Sequence, residues 1–169
     1  CIPTKALVSS TDLYREIKRA ETFGIHVEKA TPDWHVMVAN KDAVVAKLVS
    51  GLNGLIRSNG VEVIKGRGKL ISSREIEVSG DMSCRITADN IVIATGSECK
   101  NLSILPVDGK KIHSSTTLLE LQELPKSLAI VGAGVIGIEF ASIFATLGVT
   151  VSIIELMPRI LPLECETVS

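Results

Sequence analysis

One hexapeptide constrains this chain more than any other: Gly132-Ala133-Gly134-Val135-Ile136-Gly137. An apolar run over residues 127–131 leads into it. A second run of helical character follows to Leu147, Gly148 ends that run, and residues 149–154 are again apolar. An acid, Glu155, stands eighteen positions beyond the last glycine. This order predicts a strand, a glycine turn, a helix over 135–147 and a second strand, which is a βαβ unit. Each glycine has a separate physical task. Gly132 permits a tight turn, and Gly134 lets the backbone come close to a pyrophosphate at the positive end of the helix dipole. Gly137 lets the helix lie close to the strand. Glu155 at the tip of the second strand would accept hydrogen bonds from a ribose 2′-hydroxyl and repel a 2′-phosphate. It therefore points to NAD rather than NADP. A glycine-rich turn in an unrelated α/β domain is the rival reading, and the full strand-helix-strand-acid context argues against it.

The rest of the chain changes period twice. Residues 5–22 read as a helix, with Leu7, Leu13, Ile17 and Ala20 at helical spacing and Gly24 as its stop. Thr31-Pro32-Asp33 supplies a turn and an N-cap for a longer helix. Its predicted buried stripe is Val36, Val44, Leu48, Leu52 and Leu55, and Asn59-Gly60 ends it. From residue 61 the pattern alternates. Strands are predicted over 61–64, 69–71 (after a break at Gly66-Arg67-Gly68), 75–78 and 84–87, with a turn at Ser79-Gly80-Asp81. Together they suggest an antiparallel meander. Residues 90–94 are almost wholly apolar, as for a strand covered on both faces, and run into Thr95-Gly96-Ser97. Residues 98–125 read as an irregular connection between domains, with a short helix over 116–121.

Composition excludes more than it identifies. The formal net charge of −1 gives no electrostatic reason to propose nucleic acid or a membrane surface as partner. No apolar run approaches the ~20 residues of a membrane span. Cys84, Cys99 and Cys165 are scattered, without C-x-x-C or zinc spacing, and read as free thiols of a reducing compartment. His26, His35 and His113 have no metal-like spacing and are read as structural, so no metal site is expected. Because the sequence opens on a cysteine rather than Met, the expectation is that its N-terminus is cut or processed.

Taken together, these segments resemble the flavin-linked pyridine nucleotide-disulfide oxidoreductases (class I). Within that family the resemblance is best to the branch that oxidises dihydrolipoamide. Cys1-Ile2-Pro3-Thr4-Lys5-Ala6-Leu7 resembles the second half of the family's C-x-x-x-x-C redox motif. Residues 91–98 resemble the strand that returns to the flavin domain. Leu124-Pro125-Lys126-Ser127-Leu128 resembles the entry to the NAD domain, and residues 131–141 with Glu155 and Arg159-Ile160-Leu161-Pro162 resemble that domain's first βαβ unit. The resemblance implies an α/β fold: parts of two Rossmann-like FAD/NAD(P)-binding domains with an antiparallel β-meander. Residues 1–98 would be a partial FAD-binding domain and residues 99–169 a partial NAD-binding domain.

By the same resemblance Cys1 is the catalytic thiol nearest the flavin, its partner lying five residues upstream. Reactivity there requires the thiolate. Lys5 would reach the flavin from one side and Glu139 from the other, as a buried ion pair tuning its charge. A plain helix-surface charge is the alternative for Glu139. Gly68 would touch the adenine end of FAD by backbone, and Thr95, Gly96 and Ser97 would line the FAD site. Gly132, Gly134, Gly137 and Glu155 would hold NAD. The implied reaction passes electrons from dihydrolipoamide, on a lipoyl domain of a 2-oxoacid dehydrogenase complex, through the disulfide and FAD to NAD⁺. The implied enzyme is a homodimer in the bacterial cytoplasm or mitochondrial matrix. The family's flavin-pyrophosphate fingerprint, its remaining NAD strands and its His-Glu acid-base motif have no match in this chain. The expectation is therefore a fragment without activity of its own. Other branches, such as the mercuric reductases, and a non-catalytic truncated product are the rival readings.

Overall fold

A computed structural model describes residues 1–80 and 83–169. The predicted turn Ser79-Gly80-Asp81 reaches Asp81, which lies outside the described residues. The chain divides into two compact units, Cys1–Val49 with Cys99–Ser169, and Ser50–Glu98.

The first unit is built on helices. Helix α1 spans Ile2–Arg19, earlier than residue 5, because Pro3 in its first turn needs no N–H partner there. A 3₁₀ turn over Ala20–Phe23 prolongs it, and Gly24 at φ +77 closes that turn. Ala6, Leu7 and Thr11 form its buried face, whereas Leu13 is exposed. Helix α2 spans Trp34–Ser58, residues 34–49 belonging to this unit. Its buried stripe is Trp34, Val38 and Lys41 rather than the predicted Val36, Leu48, Leu52 and Leu55, which are all exposed. Both sets have helical spacing. Trp34 won because its ring meets Phe144 at 5.6 Å between centroids while its Nε1–H donates to the Leu121 carbonyl at 2.9 Å. Lys41 stays buried because its ammonium donates to the Leu119 carbonyl at 3.0 Å and faces Asp42 at 2.7 Å. These two anchors hold the segment read as a connection, residues 98–125, into the unit from Cys99 onward. Its short helix α3 spans Ser115–Leu118, with a reciprocal cap between Ser114 and Thr117.

The βαβ unit follows as the sequence predicts. Strand β1 of this unit's sheet spans Ser127–Val131 and pairs in parallel with strand β2, Thr150–Ile154, through a register running from Ser127 opposite Thr150 to Val131 opposite Ile154. Helix α4, Val135–Thr146, joins them and ends at Gly148, φ +89. Strand β1 is not buried on both faces as expected: its side chains alternate between exposed and half-buried. Only the face toward α4 is covered. The core is Leu7, Trp34, Val38, Leu118, Phe140, Ile143, Phe144 and Val149. Burying each of the larger of these contributes about 1.5–3 kcal/mol.

The second unit contains an antiparallel meander, with strands β3 (Arg67–Leu70), β4 (Glu75–Ser79) and β5 (Cys84–Thr87) in that order. Gly68 does not break the first of these. It sits in the ladder opposite Val78. The break is at Gly66, where a Cβ would come 2.5 Å from Val78 Cγ1. Two predicted strands are absent from the described structure. Residues 61–64 and 90–94 pair with no described strand, and a strand without a partner leaves its backbone groups to water.

Candidate functional site

Two clusters of the predicted site residues fall within the first unit. The first is at the start of α1. Cys1 is the N-cap, its carbonyl accepting the first helical bond from the Lys5 N–H at 3.0 Å. Its thiol is exposed and free. One turn on, the Lys5 ammonium forms an ion pair with the Glu139 carboxylate of α4. The pair joins residues 134 positions apart, because α1 packs across α4 with Leu7 seated among Ile143 and Phe144. The pairing of Lys5 with Glu139 is formed, but it is not buried as expected. The two side chains retain 60% and 35% of their exposure. Further along the same crossing Arg15 donates to Ser142 Oγ at 3.2 Å and Thr146 Oγ1 at 3.1 Å. An open hollow of about 430 Å³ beside Cys1 is lined by Lys5, Ala6, Ser9, Asn40, Val44 and Leu48.

The second cluster is the glycine turn. Gly132 has φ +106, a conformation that side chains resist. Its N–H donates to the Ile154 carbonyl at 2.8 Å, carrying the ladder one residue past β1. A Cβ on Gly137 would strike the Gly132 carbonyl, so glycine there sets how closely helix and turn approach. Gly134 is the N-cap of α4, extended at φ −73 and ψ 178, and no side chain caps the helix. The first-turn N–H groups therefore face outward without a helical acceptor. A Cβ on Gly132 or Gly134 would meet nothing within 4 Å. Uncapped N–H groups, open space and a helix dipole fit the pyrophosphate of a dinucleotide.

Glu155 does more than the sequence reading assigned to it. Its Oε2 accepts from the Ala133 N–H at 2.6 Å and its Oε1 from the Met157 N–H at 2.9 Å. These backbone donors, Met157 foremost and then Ala133, hold the carboxyl below its ordinary pKa. The acid is thus ionised and tied to the glycine turn itself, with lone pairs left for a ribose hydroxyl.

Gly68 and residues 95–97 belong to the other unit. Gly68 is exposed in its strand, with Ile76 Cγ2 at ordinary contact from a hypothetical Cβ, 3.4 Å. Thr95, Gly96 and Ser97 are exposed and in no regular element, with Gly96 at φ +78.

One reactive group escaped the sequence reading. Cys99 lies 3.1 Å from Ser115 Oγ and 3.7 Å from Thr116 Oγ1, and these hydroxyls, Ser115 first, lower its pKa to about 7. The hydroxyl run Ser114-Ser115-Thr116-Thr117 is visible in the sequence, but its meeting with Cys99 is a tertiary event. Among the described residues no group of three or more His, Cys, Asp or Glu could hold a metal ion. No described helix is long and apolar enough to cross a membrane.

The profile of the pyridine nucleotide-disulphide oxidoreductases matches residues 1–169. The chain is 48% identical over 169 residues to a dihydrolipoyl dehydrogenase of Chlamydia pneumoniae, covering all of this chain and 36% of that protein. It is 41% identical over 172 residues to the Bacillus subtilis dihydrolipoyl dehydrogenase, covering all of this chain and 38% of that one. Among solved structures it is similar to LpdA of Mycobacterium tuberculosis, with a TM-score of 0.84 at 30% identity over 94% of this chain and 36% of the other. It is also similar to RclA of Escherichia coli, an HOCl-induced flavoprotein disulfide reductase, with a TM-score of 0.75 at 31% identity over 96% of this chain and 33% of the other. The chain thus spans little more than a third of the length of these relatives. With thiol helix, glycine turn and terminal acid in one order along all of its length, the chain belongs to the pyridine nucleotide-disulphide oxidoreductase family.

Proposed function

We propose that this chain is the part of a flavoprotein dihydrolipoyl dehydrogenase that carries the flavin-proximal thiol and the first half of the NAD site. The observation that carries the reading is the Lys5–Glu139 ion pair, which draws the helix bearing Cys1 onto the helix that opens the glycine turn. In this reading residues 1–98 belong to an FAD-binding domain and residues 99–169 to an NAD-binding domain. The substrate is dihydrolipoamide on a lipoyl domain of a 2-oxoacid dehydrogenase complex. The complete enzyme is a homodimer of the bacterial cytoplasm or mitochondrial matrix.

Bound FAD supplies a two-electron relay between a thiol pair and NAD⁺. The chain's own residues do the following. Cys1 forms half of a disulfide with a cysteine five residues upstream. A substrate thiolate attacks that partner sulfur, the S–S bond breaks, and Cys1 leaves as a thiolate. The second substrate thiol then closes the substrate disulfide, so one dithiol is oxidised as one disulfide is reduced. Lys5 places a positive charge one helical turn from that thiolate, and Glu139 fixes the ammonium. Thr95, Gly96 and Ser97 and the backbone at Gly68 line the FAD site. The uncapped turn at Gly132, Gly134 and Gly137 receives the NAD pyrophosphate, and Glu155 accepts from the adenosine ribose.

The experiment is two-electron reduction of the full-length flavoprotein by dihydrolipoamide, with and without Cys1→Ser. The expected result is a long-wavelength thiolate-to-flavin charge-transfer band in the wild type and none in the variant, with flavin retained in both. Persistence of that band in Cys1→Ser would refute the assignment of the thiol.

A further inference from the structure

Leu161 is the one non-glycine residue with positive φ, +45, among the described residues. The conformation is doubly unfavourable, since left-handed backbone costs a residue with a Cβ, and the following Pro162 pushes its predecessor toward extended geometry. Such strain persists where the surroundings over-determine it. Here they do. The Leu161 N–H donates to the Ala133 carbonyl at 2.8 Å, and the Leu161 carbonyl accepts from the Glu164 N–H at 2.9 Å. Arg159 holds the Glu164 carbonyl at 3.2 Å, and Ser169 Oγ donates to the Ile160 carbonyl.

The acceptor of that bond is the middle residue of Gly132-Ala133-Gly134. Ala133 is fully buried, and its other backbone group, the N–H, is already held by Glu155. The residue between the two glycines is thus gripped at both ends by the segment that follows strand β2. Glycines have the most conformational freedom to lose, so an ungripped turn would have to be ordered when ligand binds.

Resting on the dinucleotide reading above, we propose that Leu161 is a positioning residue for dinucleotide binding: its left-handed backbone latches the Ala133 carbonyl and, with Glu155, pre-forms the glycine turn for a pyrophosphate. The latch is a property of the backbone. Glycine at 161 keeps it, because glycine adopts positive φ freely. Valine opposes it, since β-branched residues are outliers there. Proline abolishes it, having no N–H and φ fixed near −65°.

The test is calorimetric titration of the flavin-loaded full-length protein with ADP-ribose, a pyrophosphate-containing ligand without redox chemistry, with the thermal midpoint of each variant measured alongside. Leu161→Gly should bind within about twofold of wild type. Leu161→Val should bind roughly threefold to tenfold more weakly, and Leu161→Pro about tenfold or more, as one backbone hydrogen bond is lost. The order of affinities should not follow the order of thermal midpoints. Equal affinity in Leu161→Val and wild type would overturn the latch while leaving the dinucleotide site intact, and the Gly–Val pair decides even if Leu161→Pro does not fold. Weakening by Leu161→Gly as large as that by Leu161→Val would assign the effect to the side chain and also overturn it. Failure of the wild type to bind ADP-ribose would overturn both the latch and the reading beneath it.

Discussion

Residues 127–131 and residues 90–94 are near twins in composition: Ser-Leu-Ala-Ile-Val and Asn-Ile-Val-Ile-Ala. In the first unit the former is strand β1, laddered along its whole length to β2 and covered on one face by α4. In the second unit the latter forms no ladder with any described strand, and Val92 and Ile93 keep 87% and 69% of their exposure. Apolar β-branched residues make a backbone suitable for a strand, but a strand is a relation between two backbones. The twin with a partner also gained a function. Its ladder runs on into Gly132, and that continuity aims the glycine turn at the start of α4.

The contrast is broken most severely by removing what covers the paired twin. Phe144→Ala deletes a ring that is 1% exposed and touches both Trp34 and Phe140, so it should cost about 3–5 kcal/mol in denaturant unfolding. A cost below about 1 kcal/mol would mean that α4 does not organise the unit. Gly137→Val should cost about 1–3 kcal/mol, because its Cβ meets backbone that cannot swing aside, and it should abolish dinucleotide binding as well.

Glu155→Gln sharpens the comparison at the tip of strand β2. In the full-length enzyme it should narrow the ratio of kcat/KM for NAD over NADP by removing repulsion toward a 2′-phosphate. An unchanged ratio would remove Glu155 from cofactor choice. Its carboxyl pKa is lower folded than unfolded, so its contribution to stability is present above the unfolded value. That contribution is lost as pH falls through the folded one. Stability should therefore fall more steeply with acid in the wild type than in Glu155→Gln.

Cys99 lies just beyond the unpaired twin, and there the effect is one of rate. Its alkylation by iodoacetamide should rise with pH to a midpoint near the printed pKa of about 7, and Ser115→Ala, removing the largest cause of the lowering, should move that midpoint up. A midpoint in the ordinary thiol range for the wild type would show that the hydroxyls do not hold the thiolate. The smallest effect is expected at the unpaired twin itself. Val92→Lys should change the stability of this chain by no more than about 0.5 kcal/mol in denaturant unfolding. A loss of ~2 kcal/mol would show residues 90–94 to be buried after all.

The elements that the sequence made legible are those whose cause is local. The βαβ unit was readable because glycine spacing, helix period and a terminal acid are all written within a short stretch. The meander was readable because its strands pair with sequence neighbours. What failed was what depends on distant partners. Both apolar stripes of α2 have helical spacing, and only Phe144 and the Leu121 carbonyl decide that Trp34, Val38 and Lys41 face inward. Residues 61–64 and 90–94 have strand composition without a described strand beside them.

The candidate site divides in the same way. Sequence alone determined which residue types stand where chemistry needs them: the thiol before Pro3, the three glycines of the turn and the acid beyond them. Tertiary structure decided their relations. It joined Lys5 to Glu139, set Cys99 against Ser115, and turned Glu155 back onto Ala133. It also bent Leu161 into the left-handed backbone that completes the grip on the glycine turn. Local pattern can specify a conformation that each residue already prefers. A conformation that a residue resists, as Leu161 does before Pro162, exists only where the folded surroundings impose it.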